Sequence, residues 1–188
     1  MNSIKILSET ELSKGFIKTQ AAEIEQTLPN GKTVIYKRSK VEREDAVGIV
    51  IYNTSREKFI FVRQYRYPVA QKSDGMLLEI VAGRIENNDD PMQTAIREIR
   101  EEVGYEVKDI EFLVSYFSAP GYSSEMLHLF FARVSDDDLV ANGGGLVEEN
   151  EYLETEEYTT AEVESMMDTH TFQDGKTILA LIYIDRIL

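Results

Sequence analysis

Apolar residues occur in short runs along the middle of the chain, with turn residues between them. Runs of this length that are rich in β-branched and aromatic side chains are typical of strands. The runs predict strands over residues 46–52, 58–66, 76–81, 110–116 and 127–133. The middle of the chain is therefore expected to form a sheet.

The N-terminal stretch shows a looser alternation of apolar and polar residues. Two alternating segments, 15–19 and 32–37, lie on either side of a turn signal at 29–31 and predict an antiparallel strand pair. We therefore expect a small β subdomain over residues 1–42, which serves in dimerisation, followed by a main domain over residues 43–188.

Helical spacing is clearest in the segment that follows the third strand of the main domain. Apolar residues recur at every fourth position from Ala95 to Val103. Asp90 is placed to cap a helix, and Gly104 is a typical helix end. The pattern predicts a helix over about 91–103.

Two further helices are predicted near residues 160–168 and 175–187. One helix among the strands and two after them favour the α+β class, a layered sandwich of helices and a sheet, over a regular βαβ repeat.

The composition excludes several kinds of site. The chain has 188 residues, no cysteine and only two histidines, His128 and His170. Disulfides, cysteine nucleophiles, cysteine-based metal sites and three-histidine metal sites are therefore excluded. We expect His128, in an alternating strand, to be structural, and we assign no role to His170.

The net charge of the chain limits the kinds of molecule that it is expected to bind. A formal net charge of −14 argues against a large nucleic-acid interface, which needs a basic face. An anionic substrate would need a divalent cation to offset the repulsion. No apolar run approaches the roughly 20 residues that span a bilayer, and the N-terminus lacks the pattern of a secretory signal. We expect a cytoplasmic protein.

Three glutamates share one face of the predicted helix. Glu101 and Glu102 lie three and four residues after Glu98, and such neighbours repel by roughly 0.2–0.5 kcal/mol per exposed pair. One interpretation is a solvated face on which Arg97 pairs with Glu101. The other is a cation held between the carboxylates, and oxygen ligands favour Mg²⁺ or Mn²⁺. Gly83, directly after a predicted strand, favours the second because glycine lets a backbone approach a ligand closely.

This segment resembles the signature of the Nudix hydrolases, G-x5-E-x7-R-E-U-x-E-E-x-G-U, in which U is bulky and apolar. The matching residues are Gly83, Arg97, Glu98, Ile99, Glu101, Glu102 and Gly104. Asp89 replaces the first glutamate, a conservative change at a position that is mostly structural in the family, and Tyr105 fills the last apolar place. The resemblance implies the Nudix fold, an α/β/α sandwich with a mixed sheet.

Other segments are similar to the nucleoside-diphosphate-sugar pyrophosphatases of that family. Pro120 lies sixteen residues after the last glycine of the signature, a spacing characteristic of ADP-ribose pyrophosphatases. Residues 62–66 and 118–125 look like the same branch, whereas 141–145 and 174–177 are similar to bacterial GDP-mannose pyrophosphatases. The resemblance covers nearly the whole chain and leaves both substrates open.

The resemblance implies a metal site and a general base. The implied metal ligands are Glu98, Glu102, Glu151 and the carbonyl oxygen of Ala82. Glu101 would support these ligands, and Arg97 would orient the carboxylates of the helix. Glu151 is also the expected base, with Glu149 as the alternative.

A second group of residues is expected to bind the substrate. Its members are Phe16, Lys37, Arg38, Arg66, Ala82, Gly83 and Arg84. Arg66 would grip the diphosphate or the terminal sugar, and a plain charge on an edge strand is the alternative. Phe16 would stack on the base, with Lys37 and Arg38 contacting the nucleotide across a dimer interface; a core position is the alternative for Phe16.

These implications lead to one expected reaction, the Mg²⁺-dependent hydrolysis of ADP-ribose to AMP and ribose 5-phosphate. GDP-mannose, or a broad range of nucleotide sugars, is the alternative within this class. A non-catalytic sensor of nucleotide sugars is the alternative outside it. We also expect a homodimer, because a strand pair alone is too small to bury its own face.

Overall fold

The computed structural model describes residues 3–15, 17–86, 89–146 and 151–184. The chain divides into two compact units. The first is drawn from residues 1–45 and 117–126, and the second from residues 46–116 and 127–188.

The first unit contains an antiparallel sheet of three strands, which lie side by side in chain order. The strands are β1 (Ile4–Lys14), β2 (Lys18–Thr27) and β3 (Thr33–Glu42). The predicted strand pair corresponds to the starts of β2 and β3, and Gly31 in the turn between them has a φ of 82°. The sequence does not predict β1, because nearly all of its residues are exposed and no buried face imposes a regular alternation.

The remaining elements form a sheet covered by helices. The strands are β4 (Ala46–Asn53), β5 (Lys58–Tyr65), β6 (Met76–Glu79), β7 (Val81–Arg84), β8 (Asp109–Phe117), β9 (Met126–Val134) and β10 (Glu154–Thr159). The helices are α1 (Pro91–Val103), α2 (Thr160–Asp168) and α3 (Gly175–Ile184).

The sheet is mixed and has the strand order β10-β5-β4-β9-β8. Strand β4 pairs with β9 in parallel and with the start of β5 in the antiparallel sense. Further along, β6 pairs with β5 and β7 pairs with β4. The mixed sheet and the α+β class confirm the fold predicted from the sequence.

Helix α1 has the predicted bounds, but two strands differ from the prediction. The predicted strand over 76–81 is two strands, because the chain leaves β5 and joins β4 at Ile80. Strand β10 lies in an acidic segment that does not look like a strand, and it forms by pairing with β5 from Glu154 opposite Arg63 onward. The end of the third predicted helix, over 185–187, lies outside the described residues.

Apolar side chains fill both faces of the sheet. On one face, Val47 and Ile49 of β4 share a buried cluster with Ile99 of α1. On the other face, Val50 shares a cluster with Leu181 of α3. Because neighbouring residues of β4 are buried on opposite faces, the layers are helix, sheet and helix. Helix α1 therefore presses its inner side against β4 and β7.

Candidate active site

Helix α1 is fixed at both ends by residues that the sequence singles out. The side chain of Asp90 accepts hydrogen bonds from the backbone N–H groups of Met92 and Gln93 at 3.0 and 3.1 Å. At the other end, Gly104 adopts the left-handed conformation with a φ of 81°. These two residues therefore determine where the helix begins and where it ends.

The carboxylate of Glu98 lies against the backbone of β7. Glu98 is 7% exposed. A Cβ atom on Gly83 would lie 1.9 Å from the Cδ atom of Glu98, so only glycine leaves room for this carboxylate. The sequence predicts a close approach at Gly83; in the structure, the approaching group is a carboxylate of the chain itself.

Glu102 lies one turn further along α1 and is even more enclosed, with an exposure of 4%. Its Oε2 atom is buried and has no hydrogen-bond partner among the described residues. A buried carboxylate oxygen without a partner is destabilising unless a proton or a cation satisfies it. Glu102 therefore fits a site for a divalent cation.

Burial and neighbouring charges make both glutamates hard to ionise. Burial is the main reason that the pKa of Glu98 rises to about 7. The charge of Arg97 opposes this rise, and the charges of Glu101 and Glu151 add to it. Burial also raises the pKa of Glu102 well above its usual range, and the charges of Glu98 and Glu151 reinforce the shift. A bound cation would favour the ionised form of both side chains.

A glycine loop closes the C-terminal end of α1. The N–H of Gly144 donates to the carbonyl of Glu102 at 2.7 Å, and the N–H of Gly145 donates to that of Glu101 at 3.3 Å. Gly143, Gly144 and Gly145 all have positive φ values, between 66° and 103°. The three glycines allow the chain to turn across the helix end and satisfy its free carbonyl groups.

The same loop brings Glu151 to the helix. A Cβ atom on Gly145 would lie 2.9 Å from the Cβ of Glu151, so glycine leaves room for that residue. The charge of Glu151 acts on both Glu98 and Glu102. The structure therefore places Glu151 within electrostatic reach of Glu98 and Glu102, the two helix carboxylates that the resemblance implies as metal ligands. The alternative base, Glu149, lies outside the described residues.

These carboxylates and the backbone of Ala82 provide oxygen ligands. The backbone of Ala82 hydrogen-bonds to Glu102 and lowers its pKa against the other causes. Within the described residues, no three acidic or histidine side chains are already close enough together to hold a metal ion. The chemistry of the donors is nevertheless that of a hard cation site, suited to Mg²⁺ or Mn²⁺.

Arg97 pairs with two glutamates of its own helix. Its Nη2 contacts Glu98 Oε1 and its Nη1 contacts Glu101 Oε2, both at 2.7 Å. The Arg97–Glu101 pair of the solvated interpretation is present, and the same guanidinium also holds the buried Glu98. The side chain is in place to orient both carboxylates.

Arg66 is held by a buried acid that the sequence reasoning did not select. Its Nε and Nη2 donate to the two oxygens of Glu79 at 2.9 and 2.8 Å. Glu79 is 2% exposed and also contacts Lys176. Burial tends to raise the pKa of Glu79, but the two cations bring it below its usual value. The available signal was a glutamate inside the apolar run 76–81, since a buried acid needs charged partners.

The other predicted residues lie elsewhere. Lys37 and Arg38 are exposed on β3, in the first unit, where the guanidinium of Arg38 lies 4.6 Å from the ring centroid of Tyr36. Arg84 is exposed at the end of β7. Phe16 lies outside the described residues. His128 forms a hydrogen bond of 2.7 Å with Ser115 between β9 and β8, as a structural residue would.

A comparison with protein families matches the NUDIX domain over residues 42–180. The chain belongs to the Nudix hydrolase family. This confirms the resemblance drawn from residues 83–105. In this Nudix protein, the signature begins in β7 and includes helix α1 and the helix end that the glycine loop closes.

Relatives of this Nudix protein carry different names. A methanol dehydrogenase activator from Bacillus methanolicus is 36% identical over 180 residues, which cover 95% of this chain and 90% of that protein. A GDP-mannose pyrophosphatase from Salmonella arizonae is 30% identical over 184 residues, which cover 97% of this chain and 95% of that protein. A GDP-mannose pyrophosphatase from Escherichia coli O9:H4 is 31% identical over 183 residues, which cover 96% of this chain and 94% of that protein.

A solved structure supports the fold. An ADP compounds hydrolase matches with a TM-score of 0.75 over 98% of this chain and 94% of that chain, at 20% identity. In the part of the chain that the structure describes, no helix is long and apolar enough to cross a membrane.

Proposed function

We propose that this Nudix protein hydrolyses the pyrophosphate bond of a nucleoside diphosphate sugar with the help of bound Mg²⁺. The observation that carries the proposal is Glu102, a buried acid with an unsatisfied oxygen beside Glu98 and within electrostatic reach of Glu151. Two buried carboxylates with a third within electrostatic reach destabilise a protein unless a cation compensates for their charge. Mn²⁺ is the alternative ion.

Glu98, Glu102, Glu151 and the Ala82 carbonyl would hold the metal. When bound, Mg²⁺ would neutralise the pyrophosphate, lower the pKa of water and stabilise the charge that develops during phosphoryl transfer. The chain itself supplies the geometry, because Gly83 and the cap of α1 fix Glu98 and Glu102 against β7.

Glu151, Arg97 and Arg66 have the remaining roles in the proposed mechanism. Glu151 would accept a proton from the attacking water. Arg97 would keep the carboxylate of Glu98 in place, as its 2.7 Å contact supports. Arg66 would bind the diphosphate or the sugar with the part of its guanidinium that Glu79 leaves accessible, since its side chain is 40% exposed.

We propose ADP-ribose as the substrate and AMP and ribose 5-phosphate as the products. The spacing of Pro120 from the signature and the sequence of 118–125 support this choice. GDP-mannose is the second candidate, and the names of two relatives at 30% and 31% identity favour it. An assay of purified protein on a panel of nucleotide sugars, with and without Mg²⁺, decides between them.

The assay has three informative results. Turnover of ADP-ribose above that of GDP-mannose, abolished without a divalent cation, supports the proposal. Faster turnover of GDP-mannose retains the reaction class and replaces the substrate. No turnover of any nucleotide sugar favours a non-catalytic sensor of nucleotide sugars. Intact Glu98, Glu101 and Glu102 argue for the enzyme.

A further inference from the structure

The point where the chain changes strand partners is held by the start of helix α3. Strand β6 pairs with β5 up to Glu79, and β7 pairs with β4 from Val81. Between them, the backbone N–H of Ile80 donates to Oγ1 of Thr177 at 3.0 Å. Ile80 and Thr177 are both fully buried. The hydroxyl therefore satisfies a backbone donor that water cannot reach.

Asp174 fixes the orientation of this hydroxyl. Thr177 donates from Oγ1 to Asp174 Oδ2 at 2.6 Å, and its backbone N–H donates to the same oxygen at 3.0 Å. Because a hydroxyl has only one proton to donate, the bond to Asp174 leaves its lone pairs directed to the N–H of Ile80.

Ion pairs extend the arrangement toward the candidate site. Lys176 contacts Asp174 at 3.0 Å and also contacts the buried Glu79. Glu79 in turn holds Arg66 through both carboxylate oxygens. The residues that flank Ile80 and Thr177 are thus joined by charged hydrogen bonds as well.

The strand switch determines where the next residues lie. Ala82 follows Ile80 by two positions, and its backbone hydrogen-bonds to Glu102. Gly83 comes next, packed against the carboxylate of Glu98. A small displacement of Ile80 would therefore move the backbone that shapes the environment of both glutamates.

We propose that Thr177 is a positioning residue for the candidate metal site, acting through the N–H of Ile80, and that Asp174 holds its hydroxyl for this purpose. The inference rests on the proposed function for the reaction that the site would catalyse. The contacts of Thr177 from which it is argued do not depend on that function. Partners of this kind, which orient the groups that bind a metal, commonly change metal affinity or activity about 10- to 100-fold when removed.

The test compares Thr177→Val, which keeps the shape and removes the hydroxyl, with Thr177→Ser, which keeps the hydroxyl. Thr94→Val is the matched control, because Thr94 is also buried but its Oγ1 has no hydrogen-bond partner among the described residues. Two readouts are used: the affinity of the metal-free protein for Mn²⁺ alone, from the electron paramagnetic resonance signal of free Mn²⁺, and kcat and KM with a nucleotide sugar.

We expect Thr177→Val to weaken Mn²⁺ binding and to lower kcat, each about 10-fold, with little change in KM. Thr177→Ser should restore both, and Thr94→Val should match the wild type. A purely structural role would lower the melting temperature without changing Mn²⁺ affinity below it. If Thr177→Val does not fold, Asp174→Asn, which weakens the hold on the hydroxyl, should shift both readouts in the same direction.

Wild-type Mn²⁺ affinity in Thr177→Val, or a serine variant as defective as the valine variant, would overturn the inference. If the wild type binds Mn²⁺ but hydrolyses no nucleotide sugar, the proposed function fails while the Mn²⁺ affinities still decide this inference. A wild type that binds no Mn²⁺ overturns both.

Discussion

At the scale of single residues, Glu102 depends most on a bound cation, since one of its carboxyl oxygens is buried without a hydrogen-bond partner among the described residues. We predict that Glu102→Gln lowers turnover by more than about 100-fold, because the amide keeps the shape of the side chain but is a poor ligand for a hard cation. The metal-free variant should melt at the same temperature as the wild type or higher, since an amide, unlike the carboxyl group, can never become a buried charge beside Glu98.

Steady-state turnover and a thermal melt without metal check this prediction. Glu106→Gln is the matched control, because Glu106 lies four residues beyond Glu102 and is exposed. Wild-type turnover in Glu102→Gln would exclude Glu102 from the metal site.

The ionisation of Glu98 leads to a prediction about how the stability of the fold depends on pH. Burial raises its pKa to about 7 in the folded, metal-free chain, from an ordinary value of 4.5. The folded state thus retains a proton that the unfolded state has lost, so this residue stabilises the fold fully below about pH 4.5 and progressively less as the pH rises through about 7. The loss is about 3 kcal/mol at most. Because Mg²⁺ binds the ionised form, it should stabilise the protein more at about pH 8 than at about pH 5.

Urea unfolding at the two pH values, with and without Mg²⁺, provides the measurement. The comparison of wild type with Glu98→Gln isolates the contribution of Glu98 from that of the other acids. The prediction is wrong if the glutamine variant shows the same pH dependence as the wild type in the absence of metal.

At the scale of elements, the contact between β7 and α1 gives a prediction at Gly83. A methyl group at this position would lie 1.9 Å from the Cδ of Glu98 and would displace its carboxylate. We expect Gly83→Ala to lower turnover by about 10- to 100-fold, through the misplaced ligand, while the far-UV circular dichroism spectrum is retained. Gly15→Ala is the control, since a methyl group there meets nothing within 4 Å. Equal turnover of the two variants would contradict this account of β7.

The elements also show why the sequence predicts some parts of the fold and not others. Helix α1 is predicted with its bounds, because Asp90 and Gly104 mark its ends locally. Strand β10 depends on a distant partner, since Glu154 lies opposite Arg63, and its own residues are acidic and partly exposed. A strand whose partners lie between 91 and 101 positions away along the chain leaves little local pattern to detect.

The candidate site also contains residues that the sequence predicts and residues that it does not. Glu98 and Glu102 are predictable because they share one helix, and Glu151 because the resemblance supplied it. Glu79 and Lys176 are 97 positions apart, and only the folded chain brings them together. Local spacing therefore predicts the carboxylates that would hold a metal, whereas the buried charges that support Arg66 require the tertiary structure.

At the scale of the whole molecule, the three-stranded sheet of the first unit leads to a prediction about assembly. Ile6 of β1 lies opposite Ile24 of β2, which lies opposite Tyr36 of β3, so this part of one face of the sheet is apolar. The next row, on the other face, places Ile35 beside charged residues. Ile6 is 57% exposed in the single chain. We propose that this apolar face is buried against a second copy of the chain.

Ile6→Asp should dissociate the dimer, because burying an isoleucine contributes about 1.5–3 kcal/mol and burying an unpaired carboxylate is strongly unfavourable. Ile35→Asp is a matched control, since Ile35 is 58% exposed but lies on the opposite face. Sedimentation equilibrium at micromolar concentration should give twice the chain mass of 21.5 kDa for the wild type and for Ile35→Asp, and the single mass for Ile6→Asp. A monomeric wild type would exclude the dimer, and dissociation by both variants would assign the contact to the wrong face.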